Sequence, residues 1–451
     1  MTVENLPPEL LMPAGNFEKL KFAFSYGADA VYAGVPIFSL RARENDFTQD
    51  TIQDAIEFTH RLGKRIYLTM NIYAHNLKVD KFLYTFQAMS DLQPDGFIMT
   101  DPGLIHQSLK LRPESVIHLS TQANATNWAT VAFWRDLGVK RIILPRELSI
   151  KEMVTMHEKV PDIELESFVH GSICIAYSGR CLISNYLNHR DANQGTCTNS
   201  CRWEYSMALD RQSLLEMERT AAPSENYKPL VASYFLKEAK RVEKQFIEEQ
   251  FEIDEDEYGT YLMNSKDLCA IELLKELHNA GIGSFKVEGR SKSIYYVAIV
   301  ARAYRRAIDD LVNERPFDRT NLQELFSTSN RTLMTGFMMR KPQEYGENFD
   351  DGDSLPLTHR FAGVVQDYDA ITGQALVDFK NRVEVGEWLE WISPTKSVKM
   401  KVEAIFRANG AAVDAAHGGV QFKTPAPFEP DTFTLVRQPL TTCKHKQKSI
   451  F

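Results

Sequence analysis

Residues Glu9 to Gly34 read E-L-L-M-P-A-G-N-F-E-K-L-K-F-A-F-S-Y-G-A-D-A-V-Y-A-G. A short apolar run, a helix-spaced stretch from Asn16 to Tyr26 and a second apolar run follow one another, and neither run alternates polar with apolar side chains. Strands covered by helices on both faces lose that alternation, so the pattern predicts a strand–helix–strand unit with parallel strands. The rhythm continues through R-I-Y-L-T-M-N (65–71), D-G-F-I-M-T-D-P-G (95–103), V-I-H-L-S-T-Q-A-N (116–124), R-I-I-L-P-R-E-L (141–148) and I-E-L-E-S-F-V-H-G (163–171). Seven runs in this order predict an α/β fold, a TIM-like (β/α) barrel, with a doubly wound open sheet as the alternative. Two further runs, T-Y-L-M-N-S (260–265) and S-F-K-V-E-G (284–289), flank a helix expected over Asp267 to Ala280. Nine runs exceed what the ring of such a barrel holds, so one of them lies outside it.

The barrel is expected over residues 1–330, with an insertion at 172–258 that follows the seventh strand and carries a helix-like run near Leu236 to Glu249. A loop leaving the C-terminal end of a barrel strand lies on the face where such barrels do chemistry. After a helix from Ser291 to Leu311 and a linker over 331–360, residues 361–440 break into short strands with Asp, Gly and Asn turns. They predict a small antiparallel β-barrel, a fold that serves RNA binding and plain structural support alike. Residues 441–451 form a basic tail containing Lys444, Lys446 and Lys448.

With 43% hydrophobic and 25% charged residues in a chain of 451, the composition is that of a folded globular protein rather than a disordered one. The first residues lack a basic segment followed by an apolar one, and no apolar run is long enough to span a bilayer, so a cytoplasmic location without membrane association is expected. A net charge of -8 excludes a uniformly basic surface but leaves room for local patches.

Of six cysteines, four gather in H-G-S-I-C-I-A-Y-S-G-R-C and G-T-C-T-N-S-C-R-W: Cys174, Cys181, Cys197 and Cys201, spaced C-x6-C-x15-C-x3-C. Six in so long a chain are too few for a disulfide framework, and clustered thiolates call for a cation. Structural zinc sites favour paired knuckles that only the last pair approaches, so the spacing favours an iron–sulfur cluster and keeps zinc open. Arg180 and Arg202 flank ligand positions and would offset the cluster's negative charge.

The predicted strand ends add a polar, cation-rich rim: Asn71, Asp101, Gln122, Asn124, Arg146, Glu147, Lys286, Glu288 and Arg290, with Arg41 and Arg43 after the second strand. Guanidinium forks suit carboxylates and phosphates, which makes this set, Asp101 aside, the candidate substrate and catalytic groups. His170 ends the seventh strand beside the cysteines and joins Glu288 as a candidate catalytic residue. Tyr177, Tyr186 and Trp203 are aromatic groups on the cysteine loop fit to stack on a base, and Arg202 and the tail lysines fit a phosphate backbone. The sequence contains no G-x-G-x-x-G after the first strand, no P-loop, no H-E-x-x-H and no C-x3-C-x2-C.

Taken together, E-L-L-M-P-A-G-N, Y-G-A-D-A-V-Y-A-G, A-Y-S-G-R-C-L-I-S, Q-G-T-C-T-N-S-C-R-W-E-Y, M-N-S-K-D-L and K-V-E-G-R-S-K-S resemble the collagenase-like peptidase family over essentially the whole chain. The nearest branch is the one whose members make 5-hydroxyuridine in tRNA. The resemblance implies a hydroxylase of C5 of the wobble uridine that uses prephenate instead of dioxygen. It also implies a 4Fe-4S cluster on Cys174, Cys181, Cys197 and Cys201, all present here. tRNA is then the macromolecular partner, and an electron-transfer partner fits a cluster with no open iron. Three rival readings stand beside it. One is a peptidase using Ser172 or Ser178 near His170, one a hydroxylase of ribosomal RNA or a quinone precursor, and one a zinc-stabilised RNA-binding protein.

Overall fold

The computed structural model describes residues 7–40, 46–174, 176–181, 183–188, 190–194, 205–209, 233–238, 249–252, 266–328, 333–339 and 358–440. Seven parallel strands follow in chain order: β1 (Glu9–Ala14), β2 (Ala30–Gly34), β3 (Arg65–Met70), β4 (Gly96–Met99), β5 (Ile117–Leu119), β6 (Arg141–Ile143) and β7 (Glu164–Ser172). The insertion supplies β8 (Tyr205–Leu209), β9 (Ser233–Glu238) and β10 (Glu249–Glu252), which pair antiparallel in a sheet of their own. After β11 (Asp267–Cys269), β12 (Ile282–Val287) pairs in parallel with both β1 and β7 and closes an eight-stranded barrel with helices around it.

Local chemistry explains the helix starts. Asn16 caps Phe17–Ser25, accepting from the Lys19 amide at 2.9 Å. Asp101, a rim residue in the sequence, caps Pro102–Leu111 through the amides of Gly103 and Leu104. Such a cap contributes about 1 kcal/mol, which accounts for Asp101 as a structural residue.

Two expectations are corrected. The helix expected over Asp267 to Ala280 begins instead as β11, antiparallel to β7 on the rim, and only Leu274–Asn279 is α-helical after a 3-10 turn. The backbone of Asp267–Cys269 is claimed by the exposed edge that β7 offers beyond the ring, and that pairing outweighs helix propensity. Of the helix-like run near Leu236 to Glu249, residues 236–238 end β9, whose S-Y-F-L-K-E segment is rich in residues that favour strands, and Glu249 begins β10, while residues 239–248 lie outside the described residues. Within the expected linker, β13 (Leu333–Met334) pairs in parallel with β11. The eighth apolar run, T-Y-L-M-N-S, lies outside the described residues, as does the basic tail.

The long helix Ile294–Val312 lies between the barrel and the C-terminal domain, and most of its residues are buried. That domain is an antiparallel sheet of eight strands around Phe379, Trp391 and Phe422, with a two-stranded ribbon beside it. Arg302 on the long helix is buried, pairs with Glu324 and donates to the carbonyls of Ser393 at 3.0 Å and Lys396 at 3.3 Å. Arg437 reaches back to Tyr295 and Ser327 while bonding Glu390 at 2.9 Å. Val364, Ile392 and Leu435 of the sheet domain join the barrel's own apolar core. Among the described residues no helix is long and apolar enough to cross a membrane.

Candidate active site

The interior of the barrel is charged where such barrels are usually filled by branched apolar side chains. Arg141 donates to Glu9 at 2.7 Å, to Glu166 at 2.9 Å and to Glu164 at 2.8 Å. Lys286 donates to Glu166 at 2.8 Å, and Tyr67 and Ser284 donate to Glu9 at 2.8 and 3.0 Å. Burial opposes ionisation of Glu9, but the guanidiniums of Arg141 and Arg65 outweigh it and hold the carboxyl below its ordinary range. Burial likewise pulls the Lys286 ammonium down against the attraction of Glu166, and keeps His118 well below the usual imidazole range and therefore neutral. Sequence reading placed Lys286 on the rim. The structure seats it inside the barrel, 4.4 Å from the ring centre of Tyr32 and 5.5 Å from that of Phe168.

Above this network the strand ends build a second polar layer. Asn71 follows β3 and accepts from the Leu40 amide at 3.1 Å through Oδ1, so its Nδ2 donates to Gln122 Oε1 at 2.8 Å. Thr100 after β4 and Ser120 after β5 stand 3.3 and 3.2 Å from the same oxygen. Arg146 after β6 lies with its guanidinium 3.9 Å from the ring centre of Phe168, and Arg290 after β12 donates to Thr69 at 2.9 Å and faces Tyr32. Among the described residues, four buried atoms on this rim have no hydrogen-bond partner: Gln122 Nε2, Asn124 Oδ1, Arg146 Nε and Glu147 Oε2.

The cysteine loop is fastened to this rim. Gly179 has φ +74°, and a Cβ there would stand 2.3 Å from the Gln122 carbonyl oxygen, so the position admits glycine alone. The Ser178 amide donates to Glu147 at 2.9 Å, the Tyr73 hydroxyl donates to the Gln122 carbonyl at 2.9 Å, and the Tyr73 amide donates to the Asn193 carbonyl at 3.2 Å. Between loop and rim lies a cavity of about 460 Å³ lined by Tyr73, His75, Thr100, Ala123, Gly179, Arg180, Asp191 and Asn193 among others. Tyr73, Thr100 and Asn193 were missed in the sequence, and Ser178 entered it only as a candidate nucleophile of the peptidase reading.

Cys174 is exposed and Cys181 half-buried on this loop, while Cys197 and Cys201 lie outside the described residues. Thiols are soft donors of the kind an iron–sulfur cluster takes, and Cys174 and Cys181 are half of the expected ligand set. Among the described residues no three His, Cys, Asp or Glu side chains converge as a metal site. Arg41, Arg43, Arg202, Trp203, Lys444, Lys446 and Lys448 also lie outside the described residues, and Tyr177 is exposed.

His170 is buried at the end of β7. Its ring packs between Tyr296 and Tyr304 of the long helix, with Nδ1 3.4 Å from the Tyr304 hydroxyl, and burial pulls its pKa down to about 4. Cys269 beside it is buried, its thiol pushed up to about 12 by burial. Glu288 is half-buried, and its backbone is held by the Tyr296 hydroxyl and by its own amide donating to the His170 carbonyl.

Comparison with known proteins follows the same outline. The family model described as Peptidase family U32 matches residues 15–348, and that described as Peptidase family U32 C-terminal domain matches residues 357–437. A protein of Haemophilus influenzae named tRNA hydroxylation protein P is 42% identical over 428 residues, covering 92% of both chains. Its namesake in Escherichia coli strain K12 is 42% identical over 91% of this chain and 92% of its own. A second protein of Escherichia coli strain K12, named 23S rRNA 5-hydroxycytidine C2501 synthase, is 29% identical over 70% of this chain and 41% of its own.

Proposed function

The chain belongs to peptidase family U32, and we propose that it is an RNA-modifying enzyme that hydroxylates C5 of the wobble uridine of tRNA. In this reading prephenate supplies the hydroxyl in place of dioxygen, and a 4Fe-4S cluster sits on Cys174, Cys181, Cys197 and Cys201. The observation that carries the reading is the cysteine loop's attachment, through Gly179 and Ser178, to a cation-rich barrel mouth. Its likeness to the tRNA hydroxylation proteins supports RNA as the substrate.

The chain's own residues do the binding and positioning. Prephenate carries two carboxylates, and the rim guanidiniums of Arg146, with its Nε unpartnered, and Arg290 are the forks such groups take. Lys286 is already committed to Glu166 and contributes positive potential from below. A loop uridine is poorly stacked to begin with, so swinging it into the mouth costs little, and exposed Tyr177 offers it a ring to stack on. The C5–OH bond forms as the ring C–OH bond of prephenate breaks and the donor loses CO2 to become aromatic phenylpyruvate; with oxygen transferred at the hydroxide level, replacing C5–H by C5–OH releases one proton and two electrons. An iron–sulfur cluster, when bound, handles electrons one at a time, and an electron-transfer partner takes them up.

The peptidase reading is less well supported. No hydrogen bond joins His170 to Ser172 or Ser178, and His170 is packed between two tyrosines. Deleting the gene and measuring tRNA nucleosides by mass spectrometry tests the proposal. The 5-hydroxyuridine derivatives are expected to vanish and to return with the wild-type gene but not with Cys197→Ala. Unchanged levels in the deletion strain contradict the proposal.

A further inference from the structure

We infer that Gln122 selects uracil over cytosine by donating its Nε2–H to the C4 carbonyl oxygen of the base, an inference that rests on the RNA-hydroxylase reading. The amide's orientation follows from unambiguous chemistry. The Leu40 amide is a backbone donor, so the Asn71 atom it reaches at 3.1 Å is the oxygen, and the Asn71 nitrogen must be the group facing Gln122 at 2.8 Å. Two NH2 groups cannot face each other, so Gln122 presents Oε1 to Asn71. The hydroxyls of Thr100 and Ser120 also lie within 3.3 Å of that oxygen. Nε2 is thereby fixed as the end of the amide turned away from Asn71, buried and without an acceptor among the described residues.

A buried donor left unpaired in a well-ordered polar layer is satisfied when a ligand brings an acceptor. In uracil the C4 oxygen is such an acceptor and N3–H, its neighbour, is a donor. In cytosine both are reversed, with an amino group at C4 and a lone pair at N3. Acceptors for N3–H stand unpartnered on the same rim, at Asn124 Oδ1 and Glu147 Oε2. An open donor and open acceptors on one rim suit uracil's C4 oxygen and N3–H and oppose the reversed pair of cytosine. A site that hydrogen-bonds its substrate in this way discriminates far better than one relying on shape.

The test uses purified, iron-loaded full-length protein with two otherwise identical unmodified tRNAs, one with U and one with C at the wobble position, plus prephenate and an electron acceptor. Hydroxylated nucleosides are counted by mass spectrometry. The wild type is expected to favour U by at least about a hundredfold. Gln122→Glu keeps the oxygen that accepts from Asn71 but turns an acceptor to the base, and is expected to raise the C:U ratio of kcat/KM by about tenfold or more. An active wild type whose ratio is unmoved by Gln122→Glu overturns the inference alone, whereas a wild type inert on both tRNAs overturns the hydroxylase reading and the inference with it. If Gln122→Glu does not fold, the wild type is given tRNA with 4-thiouridine at the wobble position. Its sulfur accepts weakly, so kcat/KM is expected to fall at least about fivefold, and an unchanged value overturns the inference.

Discussion

The two ends of the barrel handle buried polarity in opposite ways. Toward the N-terminal end, Glu9, Glu164 and Glu166 meet Arg65, Arg141 and Lys286 in a network where each carboxylate touches a cation at 2.7 to 2.9 Å. Toward the C-terminal end, Gln122, Asn124, Arg146 and Glu147 each leave a buried atom without a partner. Among the described residues Arg141 Nε and His118 Nδ1 of the lower layer also lack a partner, but every carboxylate there meets a cation, whereas in the upper layer the Glu147 carboxylate and the Arg146 guanidinium each keep a position open. Buried charge with open positions on an otherwise paired scaffold is the better pointer to function.

The contrast can be broken at its lower end first. Arg141→Met strips three carboxylates of their shared guanidinium, and leaving charges uncompensated costs about 3–5 kcal/mol. Denaturant unfolding is expected to show that loss, and a change under about 1 kcal/mol would mean that the network is not structural. At the upper end the expected damage is to chemistry instead. Gly179→Ala drives a methyl into the Gln122 carbonyl at a positive φ, and is expected to cut hydroxylation about a hundredfold, because misplacement of this kind is costly. Cys197→Ala should lose iron and activity together, and in both variants the barrel's melting temperature should hold. A collapse of the fold in either would merge the two ends into one structural unit.

A smaller effect comes from His170. Its folded pKa is depressed to about 4, so between the ordinary imidazole value and that point the unfolded chain holds more protons. Stability then falls as pH drops from about 6.5 to about 4, by an amount on the order of 3 kcal/mol. His359 in the sheet domain, also held near 4 by burial, adds to the same slope. His170→Phe should flatten the acid limb in pH-dependent thermal melts, and an unaltered limb would place the titration elsewhere. Smallest is Arg146→Gln, which removes a charge from the rim and should raise KM for prephenate about tenfold with no shift in melting temperature.

The barrel was legible because E-L-L-M-P-A-G, D-A-V-Y-A-G and the five runs after them lack alternation, and only strands buried on both faces read that way. Its charged interior was not. Glu9, Arg141 and Glu166 sit in otherwise apolar runs, where a single charge reads as a strand terminus until the eight strands close and bring the charges together. β11 was hidden for a related reason, since three residues are too few to show a period and their pairing partner is a hundred positions away at His170. The rim residues Asn71, Gln122, Arg146 and Arg290 were legible as strand ends, but the sequence could not tell which face His170 takes. Register shifts between β7 and β12 turn it toward the helix Ile294–Val312.

The most direct measurement is reconstitution under argon. Iron-loaded protein, unmodified tRNA and an electron acceptor are incubated with and without prephenate, and the tRNA nucleosides are resolved by mass spectrometry. The account predicts 5-hydroxyuridine at the wobble position that depends on prephenate and is absent with Cys197→Ala. Folded, iron-replete protein that leaves uridine untouched in the presence of prephenate would contradict it.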